Sequence, residues 1–372
     1  MLRILLYFVA FLLAVHGLIH LMGFTAYWPL AEMKELPYKT TLLGGRWEVG
    51  ATGMRVFSLL WLLAAIGFVA ATLGLILHQG WWLPVLVGVT LLSLTLCVLD
   101  WSVAFRGALI NIVILIVLLP VVGLRIQPAP FPPYPEQTPP LTTISLPSDL
   151  PAPVIRYYEN TSGEEIPVID SAVISGRATM RVFGITFPAR YRFTHEAGQN
   201  YRHYIEATLF GIPIMKVNES YLDGHARMET PGGVTENESK IDQAANLGLW
   251  AESIWLPSIF LTDPRVHWER AGDNDAQLVV PFEDADEIFT VTFNAETGLL
   301  ATLEAMRYRE ATDESKILWR NEAVRWSQMA DYLLPTVGSA TWMDEGTPWA
   351  VFTVEEVVYN VDVSDYIRAS GP

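Results

Sequence analysis

Four apolar runs occupy the first third of this chain, at residues 4–23, 56–77, 81–99 and 107–124, and no comparable run follows them. At helical rise each is about long enough to cross a bilayer. Beyond Arg125 the sequence turns polar, acidic and rich in short alternating segments. The expected organisation is a four-helix membrane domain over 1–126, a proline-rich linker over 127–153 and a soluble domain over 154–372. The first run follows Arg3 as a signal peptide would, but it lacks a small-x-small cleavage site and three further runs succeed it. It is read as retained. The second and third runs are separated only by His78, Gln79 and Gly80, which makes them a tight hairpin.

Charge divides along the same boundary. The net charge is −16, yet residues up to Gln127 hold seven Lys/Arg and four Asp/Glu, leaving 17 basic and 36 acidic residues for the remainder. So acidic a domain repels nucleic acid, and no nucleic-acid partner is expected. Cys97, the single cysteine, lies in the third run, so the soluble part has no disulfide, thiol nucleophile or thiolate cage. Lys34, Lys39, Arg46, Arg55 and Arg106 flank the runs on one side, against Arg3 and Arg125 on the other. The positive-inside rule then puts the 24–55 loop in the cytoplasm and the acidic domain on the opposite side of the membrane.

The linker reads QPAPFPPYPEQTPPLTTISLPSDLPAP, a semi-rigid extended spacer that would hold the soluble domain off the bilayer. A short helix is expected over 149–158. Further on, Phe187, Ala189, Tyr191 and Phe193 alternate with Pro188, Arg190, Arg192 and Thr194, the two-residue period of a strand. Similar runs recur to residue 359, joined by short turns, which implies an antiparallel meander. One segment departs from this period. Over 239–260, Ile241, Ala245, Gly248, Glu252 and Trp255 recur at three- and four-residue spacing before Pro257, with Ser239 as the expected N-cap. The fold class is thus a four-span α-helical bundle plus a mainly antiparallel β domain, a curved half-barrel cupping a central helix.

Few residues suggest chemistry. His16 and His20 share one face of the first run. They are weak candidates for haem or metal ligands, or else two neutral imidazoles bonded across helices to Asn111, Asp100 or backbone. Asp100 and Arg106 form either an ion path or an interfacial ion pair. His195, His203, His225 and His267 look scattered, with no HExxH, nucleophile elbow, P-loop or dinucleotide fingerprint. No catalytic residue, metal or cofactor is therefore expected. Glu252 sits on an apolar stripe and needs a basic partner, for which Arg190, Arg192 and Arg307 are the candidates; it either fixes the helix or holds a polar ligand head. On a continuous helix Trp255 faces the sheet and Trp250 is more peripheral. The dense aromatics, Trp250, Trp255 and Trp268 among them, either build a core or line an apolar cavity.

The stretch from Trp250 to Pro257 (WAESIWLP), Val266-His267-Trp268, Phe293 to Gly298 and Met306-Arg307-Tyr308-Arg309 resembles an uncharacterised bacterial family of membrane-associated proteins. The similarity spans about 150–360, and residues 16–24 and 100–111 resemble the four-helix module often fused to it. The resemblance implies a lipoprotein-carrier fold around an acyl-binding cavity and supplies no catalytic residues. The combined expectation is a membrane-tethered binding domain for a lipid-like ligand, held by Glu252, Trp250, Trp255, Trp268 and Arg307. A redox protein using His16 and His20 with haem or quinone, and a ligand-free scaffold or sensor, are the rivals.

Overall fold

A computed structural model describes residues 2–329 and 332–369. The chain forms two compact units, Met1–Gly123 and Leu124–Pro372.

The first unit is four helices, α1 (Leu2–Tyr27), α2 (Gly50–Ile76), α3 (Trp82–Leu99) and α4 (Trp101–Gly123), with strands β1 (Thr41–Leu42) and β2 (Trp47–Glu48) paired in the first loop. All four helices are long and apolar enough to cross a membrane. Close approach is set by small residues. A Cβ on Gly23 would lie 2.4 Å from the Trp61 ring, so glycine lets α1 meet α2 there. Asp100 separates α3 from α4 and accepts hydrogen bonds from the Tyr27 hydroxyl and the Lys39 ammonium. The expected Asp100–Arg106 pair does not form. Arg106 lies within α4, rotated about 240° from Asp100 at helical pitch, and its guanidinium sits 5.5 Å from the Phe105 ring centre.

In the second unit, β3 (Thr143–Ser145) pairs with β4 (Glu165–Pro167), flanking α5 (Ala152–Thr161), the short helix expected near 149–158. A first meander follows: β5 (Ser171–Val182), β6 (Ile185–Glu196), β7 (Asn200–Leu209), β8 (Ile212–Leu222), β9 (His225–Thr230) and β10 (Gly233–Glu236). The chain then forms α6 (Ser239–Glu252), a single 3-10 turn (Ser253–Trp255) and α7 (Ile259–Thr262). A second meander comprises β11 (His267–Arg270), β12 (Asp275–Phe282), β13 (Ala285–Phe293), β14 (Leu300–Arg307), β15 (Ile317–Met329), β16 (Tyr332–Trp342) and β17 (Pro348–Tyr359), with α8 (Ser364–Ile367) after it.

The two meanders join into one antiparallel sheet of 13 strands, in the order β10-β9-β8-β7-β6-β5-β17-β16-β15-β14-β13-β12-β11. Its edges are β10 and β11, the strands on either side of α6 in sequence. After reaching one edge, the chain crosses as α6 and restarts at the other edge. The central helix is thus the crossover that a sheet of this order requires. Register shifts at Ala323/Arg325 in β15 and Val354/Glu356 in β17 help bend the sheet, which stays open as a half-barrel. Residues Asp242 to Ala251 of α6 are all buried, within a core that also takes in α5 and both meanders.

Three expectations need correction. The central helix is not continuous to 260: the α-helical phase stops at Glu252, where the 3-10 turn tightens the backbone ahead of Pro257. Ser239 is the first helical residue rather than the cap, which is Glu238. The proline-rich segment is not a free spacer either. Its carbonyls at Ala129 and Pro132 accept hydrogen bonds from Arg190 and Arg192, and Phe131 lies buried with its ring centre 4.4 Å from the Arg190 guanidinium.

Candidate functional site

The hairpin of β6 and β7 builds the site. Its turn needs Gly198, at φ +65 with a built Cβ 3.1 Å from the Trp250 ring, so a larger residue would meet both strain and a wall. The register places Phe193 opposite His203 and His195 opposite Tyr201, and the next pairing places Glu219 of β8 opposite His203. Period-two alternation puts all of these side chains on one face. Gly248 of α6 lies over that face, with a built Cβ 3.6 Å from the Tyr201 hydroxyl. Glu252, one turn further along, then reaches the histidines.

One carboxylate oxygen gathers both imidazoles. Glu252 Oε2 lies 2.7 Å from His203 Nε2 and 3.0 Å from His195 Nε2. Glu219 backs His203 from the other side, with Oε2 3.7 Å from Nδ1, while its Oε1 accepts a 2.5 Å hydrogen bond from the Tyr201 hydroxyl. His203 is also sandwiched between rings, 4.0 Å from Phe193 and 4.1 Å from Tyr201 between centres.

Burial and charge act against each other here. Burial alone would push the Glu252 carboxyl up, but the His203 charge and the contacts from both histidines hold it down at about 2. Burial opposes a charge on His203, yet Glu252 and Glu219 raise it to about 9. Burial dominates at His195 and lowers it. Burial also works against the Glu219 carboxylate, which His203, Tyr201 and Arg307 nonetheless lower. Between two carboxylates His203 thus favours its cationic form, while burial favours neutral His195.

The expected arginine partner of Glu252 is replaced by this pair of histidines. Arg190 and Arg192 occupy the opposite parity on β6 and turn to the other face, where Arg190 pairs with Glu206 at 2.7 Å and Arg192 donates to Ser175 at 3.0 Å. Arg307 donates to the Ala244 carbonyl at 2.9 Å and stacks 4.2 Å from the Trp319 ring centre, so it influences the cluster through space rather than by direct pairing. Sequence reading missed His195 and His203. Their signal was present: two histidines of equal parity either side of an Ala-Gly-Gln turn must meet on one face of a hairpin.

A cavity of about 50 Å³ opens beside Glu252, lined mainly by Phe193, Ile254, Trp255, Leu303 and Phe352, with Asn321 and Ser339 as polar members. The Glu252 side chain keeps 20% of its surface accessible. The Asn321 side-chain nitrogen is buried without a hydrogen-bond partner among the described residues. Trp255 lines this cavity and donates its indole N–H to the Pro335 carbonyl at 2.9 Å. Trp250 is not peripheral: it is 1% exposed against 5% for Trp255, because α6 is buried on every side from Asp242 to Ala251. Trp268 lies elsewhere, on edge strand β11, against Phe260 and Phe293.

In the helical unit, His16 Nε2 lies 3.1 Å from Asn111 Oδ1, His20 Nδ1 meets the His16 carbonyl at 2.8 Å, and His20 Nε2 lies 2.6 Å from Ser93 Oγ. Asn111 also donates to Ser93 at 2.7 Å. Of the two alternatives open for these histidines, the observed contacts are those of bonding across helices. Both Nε2 atoms are engaged by protein, so axial ligation there would first have to break these bonds.

Residues 140–354 match the model of a family of unknown function, DUF6544, and the chain belongs to that family. No curated protein matches the sequence. Among solved structures, a LolA superfamily protein from Nitrosomonas europaea aligns with 59% of this chain and 96% of its own at 11% identity and a TM-score of 0.38. A DUF1329 family protein from Desulfovibrio piger aligns with 53% and 88% at 11% identity and a TM-score of 0.32. Scores this low leave the functional reading to the chain's own residues.

Proposed function

We propose that this DUF6544 member is a membrane-anchored binding protein whose half-barrel takes a hydrophobic, lipid-like ligand, with Glu252 at the polar end of the site. The observation that supports this reading is the cavity beside Glu252, whose lining is mainly apolar yet includes a partly accessible carboxylate and an unpartnered amide of Asn321. That combination orients an amphiphile: apolar walls for the chain and a few fixed polar groups for the head. The cavity of about 50 Å³ admits water or the tip of a chain, so an acyl-sized ligand must displace the Trp255 indole. The charge asymmetry around the four helices supports a multi-pass topology with the β domain outside the cytoplasm.

Native mass spectrometry of the full chain in detergent, followed by lipid extraction, tests the reading. A stoichiometric lipid-like adduct that Glu252→Gln loses while remaining folded is the expected result. A folded full chain that carries no adduct and fails to bind a fluorescent fatty acid would replace it with the scaffold reading. Alkaline phosphatase fused after Pro153 should be active and fused near Lys39 silent; the reverse would put the domain in the cytoplasm.

A further inference from the structure

His195 is the least explained residue in the soluble unit. It is fully buried, and neither ring nitrogen has an aligned hydrogen-bond partner among the described residues, although Nε2 lies 3.0 Å from Glu252 Oε2. That contact is close but not aligned as a hydrogen bond. A buried imidazole left unsatisfied in this way is costly unless something else takes its lone pair. Within reach are a second imidazole nitrogen, His203 Nε2, and the same carboxylate oxygen; the three side chains offer ligand atoms all within 4.8 Å of one another.

We propose that His195, His203 and Glu252 form a binding site for one divalent transition metal ion, Zn²⁺ by the character of its ligands. Two imidazoles and a carboxylate are a borderline set that suits Zn²⁺ and its Co²⁺ substitute and disfavours Mg²⁺ and Ca²⁺. Bonds of about 2.0–2.1 Å at tetrahedral angles separate ligand atoms by about 3.3 Å. The observed 2.7 and 3.0 Å need the carboxylate to withdraw by a few tenths of an ångström, and the two imidazole nitrogens, within 4.8 Å of each other, must settle at the same spacing of about 3.3 Å. Glu252 is partly accessible at the cavity, so it has room to do so.

The surroundings fit a metal in two further ways. Glu219 lies on the Nδ1 side of His203 and is itself fixed by Tyr201, the arrangement that orients a metal-bound imidazole. Glu252 and Glu219 together offset a dication. Three protein ligands leave a fourth position for water or a ligand atom, and Glu252 borders a cavity with space for a water. The site does not depend on the hydrophobic-ligand reading, because metal content can be measured on delipidated protein.

The test uses the full chain in detergent, stripped with a chelator, delipidated and titrated with Zn²⁺ against a chromophoric competitor. One Zn²⁺ per chain is expected. Co²⁺ should give the visible bands of a four- or five-coordinate nitrogen/oxygen site, and X-ray absorption should find two imidazoles. His195→Gln and His203→Gln should each abolish stoichiometric binding. Glu219→Gln should weaken it about 10–100-fold, and His267→Gln, on exposed β11, should leave it unchanged. A folded wild-type chain that takes up neither Zn²⁺ nor Co²⁺ would overturn the proposal. So would uptake that His195→Gln leaves intact, or an X-ray absorption spectrum without imidazole. Because the spectroscopic readouts use the wild-type chain, a variant that fails to fold leaves them decisive.

Discussion

Each unit holds one pair of buried histidines, and the two pairs are assembled in opposite ways. In the helical unit His16 and His20 are four residues apart on one helix, and their partners are an amide, a hydroxyl and a backbone carbonyl. In the β unit His195 and His203 come from two strands, and both converge on a carboxylate. Neutral partners crosslink helices where charge would be expensive. Placing a carboxylate against two imidazoles instead makes a site that holds a proton or, in our proposal, a metal ion. The contrast teaches that a histidine pair is defined by what it faces rather than by its spacing.

The largest effects should come from the packing that holds the β cluster rigid. Trp250→Ala and Trp255→Ala should each cost about 3–5 kcal/mol in denaturant unfolding, since both indoles are buried. A negligible loss at Trp255 alone would turn the region beside Glu252 from core into open pocket. Next comes Glu252→Ala, at about 3 kcal/mol in the metal-free protein. That is the low end for a broken buried pair, because His203 can shed its proton where a stranded arginine could not. Glu252→Gln should be milder, its amide still able to bond.

The pH dependence of the same pair follows from its two shifts. His203, raised from 6.5 to about 9, contributes stability fully present below 6.5 and lost as pH rises through 9. Glu252, lowered from 4.5 to about 2, contributes stability present above 4.5 and lost as pH falls through 2. The stability gap between the metal-free wild type and Glu252→Gln should thus be widest between pH 4.5 and 6.5 and should narrow on either side. A gap independent of pH would remove the charge from the comparison. Smallest is Ser93→Ala in the helical unit, which takes away the hydroxyl shared by His20 and Asn111. Unfolding in bicelles should report about 0.6–1.7 kcal/mol. A loss as large as that of Glu252→Ala would erase the difference between the two clusters.

Much of this was readable before any coordinates. Apolar runs of bilayer length and a period-two meander are local patterns; each run lies within about six residues of the helix ends it marks, and the alternation over 187–194 falls inside β6. Even the facing of Arg190 and Arg192 was readable, since they alternate with Tyr191 and Phe193; the expected arginine partner for Glu252 ignored that parity. The stripe of Gly248 and Glu252 did face the sheet. Trp255 does face the sheet, donating to Pro335 of β16; what failed was the peripheral place expected for Trp250, because α6 is buried on every side.

The two-part chain, the antiparallel meanders and the inward stripe of Gly248 and Glu252 follow from the sequence alone, because they depend on periodicity within one segment. Which residues Glu252 meets is set by how strands and helix pack together. The pairing of Glu219 with His203 and of Phe193 with His203 is a matter of register between strands. The position of Glu252 above them depends on the helix crossing from one edge of a 13-stranded sheet to the other. Register and crossing are fixed by the burial of whole faces at once, and no single segment of sequence carries that information.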